Sequence, residues 1–279
     1  GELGGQNGGI GWGGAWISPA SPDRQNVVGL SSTDVALNNP LTYNIPGGQS
    51  VNGGDRSVMF FGNDATFNPF RRQLASSQSG DEIYVSFLTR LKAPTDTNPQ
   101  SNTPEDGFDN NEFFVLWFDD SQGGNTSSHN DVPNIGLRAA DATNDFMVRI
   151  DIGDEAAAGG TLVPGEDYFV VGRLSKGNDP TNPNDYDGFD LWVNPTANDF
   201  LTPQAVSVAP GIIDSFDWIG LRTGTNNAFQ DRFLFDELEI GHRMQDVVPI
   251  PEPGSGLLWG LLGSLAVVAH WLRGKRHAA

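Results

Sequence analysis

Carboxylates that could bind a metal ion stand at two places in the sequence, and Asp236 is the first. It lies in the alternating stretch from Leu234 to Ile240, where a strand would place it on the same face as three aliphatic side chains. A carboxylate on an apolar sheet face needs a partner to stay ionised. The alternatives are a hydrogen bond to a nearby loop or arginine, or a structural Ca²⁺ ion with about 6–8 oxygen ligands.

The second place is a polar loop that contains Asp185, Asp187 and Asp190. Aspartates grouped around a glycine are typical of calcium-binding loops. The EF-hand template fails here, because it would put Pro183 at the first ligand position and Asn194 at the last. Two alternatives follow, a weaker calcium site and a solvated turn.

Tryptophan side chains could stack on sugar rings. Trp117 and Trp218 lie among apolar neighbours, which predicts that they pack within the protein. Trp192 shares parity with Asp190 and Asn194, so it is the tryptophan that we expect to be partly exposed as a ligand contact.

Groups for nucleophilic or metal-assisted catalysis do not form a recognised motif. The sequence has no H-E-x-x-H, G-x-S-x-G or P-loop, and its lack of cysteine excludes thiolate zinc sites. His129 and His242 lie in polar segments and are expected to be solvated. Gly9, Gly11 and Gly14 fit G-x-G-x-x-G, but no apolar strand precedes them, so we expect a glycine-rich turn with packed tryptophans.

The elements that must position these residues are strands. In 279 residues there are 35 glycines and 18 prolines, with 10% aromatic residues, which favours short strands joined by turns. The predicted strands are 25–31, 57–62, 82–92, 112–119, 134–139, 145–152, 167–175, 187–194, 215–223 and 232–241. The segment 154–160 is expected to form at most one helical turn.

Alternation along these strands predicts their core faces. The apolar face of the strand at 145–152 carries Phe146, Val148, Ile150 and Ile152. The segment from Phe113 to Phe118 is apolar throughout and predicts a central strand covered on both sides. About ten strands without intervening helices predict an all-β fold, an antiparallel two-sheet sandwich.

Charge separates the chain into two segments. Residues 1–246 hold 34 acidic and 13 basic side chains, and the formal net charge of the whole chain is −19. An acidic surface repels phosphate backbones, so nucleic acid is not an expected partner. Residues 247–279 are net basic, and they start with a proline-rich linker.

The last segment has the composition of a membrane anchor. Residues 256–272 carry no formal charge when His270 is neutral, and Arg273, Lys275 and Arg276 follow. We expect a single C-terminal transmembrane helix with a cytoplasmic basic end. The alternative is a buried C-terminal helix.

Pro251, Glu252 and Pro253, followed by the apolar segment and the basic terminus, resemble the PEP-CTERM sorting signal of bacteria. The resemblance implies that residues 247–279 form this signal and that the membrane enzyme exosortase is a partner. It also implies an exported protein, held first in the inner membrane, then cut and released to the cell surface, outer envelope or extracellular matrix.

Residues 1–246 resemble concanavalin A-like, laminin-G-like domains. The similarity lies in GQNGGIGWGGAW at the start, DGFDLWVNP at 187–195 and FDELEIG at 235–241. It implies a jelly-roll sandwich that often carries a structural calcium near its terminal strands. Such domains usually begin with a signal peptide and a further strand, which we expect to precede Gly1.

Glycan hydrolases also occur among these domains, and laminarinase-type members carry Glu-x-Asp-x-x-Glu on one strand. That string is absent, and the stretch from Asp236 to Glu239 has different spacing. We therefore expect no catalytic residues and no enzyme, but a surface protein that recognises glycan or protein, with extracellular polysaccharide as a candidate partner. The alternative is a divergent glycan hydrolase.

Overall fold

The computed structural model describes residues 9–17, 41–53, 57–61, 70–91, 112–123, 129–140, 143–160, 162–196, 199–223 and 232–249. The strands within these residues are β1 (Thr42–Asn44), β2 (Ser50–Asn52), β3 (Val58–Phe61), β4 (Phe70–Gln78), β5 (Glu82–Leu91), β6 (Phe113–Asp119), β7 (Asn134–Ala140), β8 (Thr143–Arg149), β9 (Ala156–Ala157), β10 (Tyr168–Lys176), β11 (Tyr186–Val193), β12 (Ala205–Val208), β13 (Phe216–Thr223) and β14 (Arg232–Gly241). A 3₁₀ turn covers Asp199–Leu201, and helix α1 covers Met244–Val247.

Two antiparallel sheets pack face to face, as the sequence predicts. Sheet 1 has the strand order β12-β11-β10-β5-β14-β3, and sheet 2 has the order β4-β13-β6-β7-β8-β9. The strands β1 and β2 pair separately as a hairpin. The described part of the chain is therefore an all-β two-sheet sandwich.

Aromatic and aliphatic side chains fill the space between the sheets. Phe146, Val148 and Ile150 lie there, as predicted. Phe114 of sheet 2 stacks on Phe233 of sheet 1, with ring centroids 4.9 Å apart and planes 6° from parallel. Strand β6 is central in its sheet, and its middle residues are buried on both faces, which confirms the prediction for this segment.

The outer face of sheet 1 is covered by a second apolar cluster. Leu41 and Ile45 from the hairpin segment, with Val247 and Val248 at α1, are buried against this sheet. The hydroxyl of Ser86 donates to the carbonyl oxygen of Val247 at 2.7 Å. Two residues that the sequence analysis assigns to the linker thus pack on the sandwich.

The glycine-rich start of the described chain runs beside β4, and it forms the expected turn with packed tryptophans. Gly9 and Gly11 have φ of 87° and 85°, which an L side chain rarely adopts. Trp12 pairs with Leu74 across an isolated bridge, and the guanidinium of Arg72 lies 4.3 Å from the Trp12 ring centroid.

Two local predictions are wrong. Ile152 is 60% exposed, because β8 ends at Arg149 and the chain turns. The segment 154–160 contains the short strand β9 where a helical turn was expected. Strands β1, β2, β4 and β12 were not predicted, and the predicted strand at 25–31 lies outside the described residues.

The alternation of β14 is also corrected, because a β-bulge interrupts it between Asp236 and Glu239. Glu237 has a φ of 48° at this bulge. One extra residue in a strand moves every side chain after it to the opposite face of the sheet. Leu234 therefore belongs to the outer cluster of sheet 1, whereas Leu238 packs on the core between the sheets.

The predicted C-terminal transmembrane helix is not supported, and the fold is corrected to the sandwich alone. Within the described residues no helix is long and apolar enough to cross a membrane, and α1 has four residues. The segment 256–272 lies outside the described residues, as do Pro251, Glu252, Pro253, Arg273, Lys275 and Arg276.

Candidate functional site

The three loop aspartates do not converge on one point. Asp187 is fully buried and accepts hydrogen bonds from the side chain of Asn178 at 2.9 Å and from the backbone N–H of Asp179. Asp190 forms a cross-strand ion pair with Arg173, whose Nε lies 2.8 Å from Oδ2. Asp185 lies in a turn, where its N–H donates to a carbonyl at 3.2 Å. These contacts hold the loop against β10 and β11.

Asp236 lies beneath the hairpin on the outer side of sheet 1. Its Oδ1 accepts a hydrogen bond from the backbone N–H of Glu237 at 3.0 Å, and its buried Oδ2 has no partner among the described residues. Burial, with the nearby Glu237 carboxylate, raises the pKa of Asp236 to about 7.

The surroundings of Asp236 do not supply a calcium ligand set. Among the described residues no group of three or more His, Asp and Glu side chains could hold a metal ion. Ca²⁺ needs about 6–8 oxygens. Calcium at Asp236, or at the loop of Asp185, Asp187 and Asp190, stays a prediction that no described ligand set supports.

Trp192 is 3% exposed and belongs to the apolar cluster under the hairpin. It borders a cleft of about 290 Å³, together with Pro195, Asp199, Thr202 and Gln204. The expectation that Trp192 is partly exposed is therefore wrong, and its role as a ligand contact stays a prediction.

The outer face of sheet 2 holds a polar and aromatic array that the sequence analysis missed. Trp117 lies at its centre, above Gly220, where an added Cβ would come within 2.2 Å of the indole. The imidazole of His129 stacks on this indole, with centroids 3.7 Å apart and planes 4° from parallel. His129 is 4% exposed, so the expectation that it is solvated was wrong, whereas His242 is exposed as expected.

His129 is held in a demanding conformation. Its φ is 46°, a value that few residues other than glycine adopt. Its Nδ1 lies 2.7 Å from Oδ2 of Asp119, the carboxylate that ends β6. Non-glycine residues in this backbone region cluster at functional sites, and here the conformation places the imidazole over Trp117.

Three arginines share this face of sheet 2. Arg138, Arg149 and Arg222 lie on β7, β8 and β13, on the side opposite the core residues of those strands. Oδ1 of Asn130 accepts from Nη1 of Arg222 at 2.5 Å and from Nη2 of Arg149 at 3.5 Å. One amide oxygen therefore brings two guanidinium groups together.

The electrostatics of these arginines reflect their crowding. Burial, and next the charge of Arg149, lowers the pKa of Arg222 to about 9. Burial likewise lowers the pKa of Arg149, and Arg138 adds to this, whereas the nearby carboxylates of Glu155, Asp151 and Asp131 act in the opposite direction. Both groups remain protonated at neutral pH, so this face carries guanidinium charges with carboxylates beside them.

An open cleft of about 390 Å³ lies between these arginines, and we call it the sheet-2 cleft. Its lining residues are Phe113, Val115, Arg138, Met147, Arg149, Ile152, Gly153 and Glu155. Phe113, Val115 and Met147 form an apolar floor, in which Val115 and Met147 are buried and Phe113 is partly exposed. Glu155 accepts from the guanidinium of Arg138, and Arg149 makes no ion pair with any described residue.

The wall of the cleft is a turn at 150–155 that is fixed from the other sheet. The hydroxyl of Ser207 on β12 accepts from the N–H of Ile150 at 3.0 Å and donates to the carbonyl of Asp154 at 2.7 Å. Gly153 has a φ of 100° within this turn. The buried Ser207 therefore sets the position of Glu155.

A scan against protein-family models gives no match to this chain, and a comparison with curated proteins gives none either. Solved structures do align with it. The VIP36 exoplasmic/lumenal domain in a Ca²⁺/Man-bound form is 12% identical with a TM-score of 0.41, covering 74% of this chain and 84% of that one.

Two other aligned structures are a carbohydrate-binding module and a lyase. The module CBM66 from Bacillus subtilis is 12% identical with a TM-score of 0.34, covering 72% of this chain and 99% of that one. An endo-β-1,4-glucuronan lyase from Trichoderma reesei is 14% identical with a TM-score of 0.38, covering 80% and 97%. These likenesses are too distant to carry an argument about ligand or activity.

Proposed function

We propose that the chain binds a glycan in the sheet-2 cleft without cleaving it. The observation that carries this proposal is the pairing of an apolar floor with planar polar groups at the walls of one open cleft. The floor is Phe113, Val115 and Met147, and the walls hold Arg138, Arg149 and Glu155.

This combination matches the chemistry of a sugar ring. One face of a pyranose presents C–H groups that pack on aromatic and aliphatic side chains, and its rim presents hydroxyls. Guanidinium groups donate to hydroxyl oxygens, and the carboxylate of Glu155 accepts from hydroxyl protons. A cleft of about 390 Å³ accommodates a sugar unit or two.

The composition of the cleft supports binding over hydrolysis. Glycosidases of the common types use two carboxyl groups that flank the bond to be broken. Glu155 is the one carboxylate among the described lining residues, and Arg138 pairs with it. The alternative, a divergent glycan hydrolase, predicts release of reducing ends from a glycan that the protein binds.

The binding proposal is tested with a glycan array followed by calorimetry on the best hit. Phe113→Ala removes the aromatic part of the floor and should weaken binding about tenfold. Leu201→Ala is the matched control, because Leu201 is 94% exposed in the 3₁₀ turn away from the cleft. If Phe113→Ala bound the glycan with unchanged affinity, the sheet-2 cleft would not be the binding site.

We also propose, from the sequence resemblance, that exosortase cuts the chain near Pro251-Glu252-Pro253 and that the domain is displayed outside the cell. Mass spectrometry of surface-extracted protein should then find a C-terminus close to these residues. Glu252→Ala should abolish the cut. Surface protein that retains Arg273, Lys275 and Arg276 would contradict the proposal.

A further inference from the structure

Three arginine side chains gather around the sheet-2 cleft of a strongly acidic protein. The chain has 35 acidic and 16 basic side chains. Arg138, Arg149 and Arg222 nevertheless come from three strands to one face, and Glu155 is the carboxylate that joins them at the cleft. The carboxylates of Glu155, Asp151 and Asp131 offset part of this charge near Arg149, but Arg149 makes no ion pair with any described residue.

Two of these arginines share a neutral hydrogen-bond acceptor. Arg222 donates to the neutral amide oxygen of Asn130 and lies 4.6 Å from the ring centroid of Phe113. Arg149 reaches the same amide oxygen, and its buried Nε makes no hydrogen bond with any described residue. Arg149 therefore lines the cleft without an ion pair to any described residue.

We propose that the glycan bound in the sheet-2 cleft is an acidic polysaccharide, whose carboxylate or sulfate group is held by Arg149 with support from Arg138 and Arg222. Planar guanidinium groups donate two parallel hydrogen bonds to such anions. The apolar floor takes the ring that carries the anion. This inference rests on the proposed glycan binding and names the class of glycan.

Four probes separate the possibilities in calorimetric titrations of the purified protein. They are a galacturonate oligosaccharide, its carboxyl-reduced counterpart, a sulfated dextran oligosaccharide and plain dextran. The acidic probes should bind at least about tenfold more tightly than their neutral counterparts. Tight binding of the uronate alone assigns a carboxylate, and tight binding of the sulfated probe alone assigns a sulfate.

Arg149→Met keeps the length of the side chain and removes its charge, so it should abolish the preference for the acidic probes. Arg149→Lys keeps the positive charge but loses the planar guanidinium group, so it should retain part of the preference for the acidic probes. Arg173→Met is the matched control, because Arg173 lies on sheet 1 in ion pairs with Asp190 and Glu82. Circular dichroism confirms folding, and Arg138→Met replaces Arg149→Met if the latter does not fold.

The outcomes distinguish this inference from the proposed function. Equal binding of acidic and neutral probes, lost in Phe113→Ala, would overturn the acidic class and leave glycan binding standing. Binding of no glycan on the array or among the four probes would overturn glycan binding itself. A preference for acidic probes that survives in Arg149→Met and Arg138→Met would overturn the assignment to these arginines.

Discussion

The carboxyl of Asp236 shows how one buried group couples stability to pH. It is shielded by the hairpin residue Gly53, and its pKa is raised to about 7 by burial. An unfolded aspartate titrates near its ordinary value of 3.8. Between these values the folded state binds the proton and the unfolded state does not, so this group makes stability fall as pH rises from about 4 to 7.

Asp236→Asn should remove this contribution, since an amide does not ionise. The melting temperature of the variant, relative to the parent, should rise as pH increases from 4 to 7 and stay level above that. Glu237 and Glu239 also have raised pKa values through burial, and the difference between the two curves isolates Asp236. A difference that does not vary with pH would show that Asp236 is ionised when folded.

Asp236 lies so close to Gly53 that no side chain fits at that position. A Cβ at this position would lie 2.0 Å from Oδ2 of Asp236. Gly53→Ala should therefore lower the free energy of unfolding by about 1–3 kcal/mol, as overpacked positions do. In urea titrations the double variant with Asp236→Ala should regain most of that loss, and additive losses would contradict the contact.

At the scale of elements, alternation is what makes much of the sandwich predictable. Strands such as β5, β8 and β10 carry clear period-2 patterns, and their predicted positions agree with the structure. Strand β4 was missed because its first half reads Phe-Arg-Arg-Gln, where Arg71 and Arg72 obscure the apolar face. The bulge at Glu237 was missed because one inserted residue leaves no compositional trace.

The sheet-2 cleft could not be assembled from sequence for a different reason. The alternation of side chains along β8 places Arg149 on the face opposite the core residues. The alternation along β7 and β13 places Arg138 and Arg222 in the same way. Which strands are neighbours is decided by sheet order, and β13 pairs with β6 although about a hundred residues separate them. Sequence patterns give the face of each side chain but not this adjacency.

Ser207 links the two sheets at the wall of the cleft, and its removal tests that link. Ser207→Ala leaves the N–H of Ile150 without its acceptor, which should cost about 1–3 kcal/mol in urea unfolding. The amide of Ile150 should also exchange faster with solvent. Ser215→Ala is the control, because its hydroxyl contacts Asp214 at the surface and its loss should change stability by less than about 0.5 kcal/mol.

At the scale of the whole molecule, the net charge of −19 and the basic sheet-2 cleft act on an acidic glycan over different distances. The overall charge repels a polyanion from afar, whereas the arginine contacts attract it within a few ångströms. Screening lengths of about 30 Å at 0.01 M salt and about 8 Å at 0.15 M mean that moderate salt removes the repulsion first.

Affinity for the uronate probe should therefore rise between 10 and 150 mM NaCl and fall again towards 1 M, where the screening length of about 3 Å weakens the contacts themselves. The carboxyl-reduced counterpart should show little change over the same range. In Arg149→Met the fall above 150 mM should flatten, because the short-range attraction is smaller, while the rise below it persists. A steady fall in affinity for the uronate from 10 mM upward would contradict this prediction. It would show that the attraction by the arginines reaches further than the repulsion by the acidic surface.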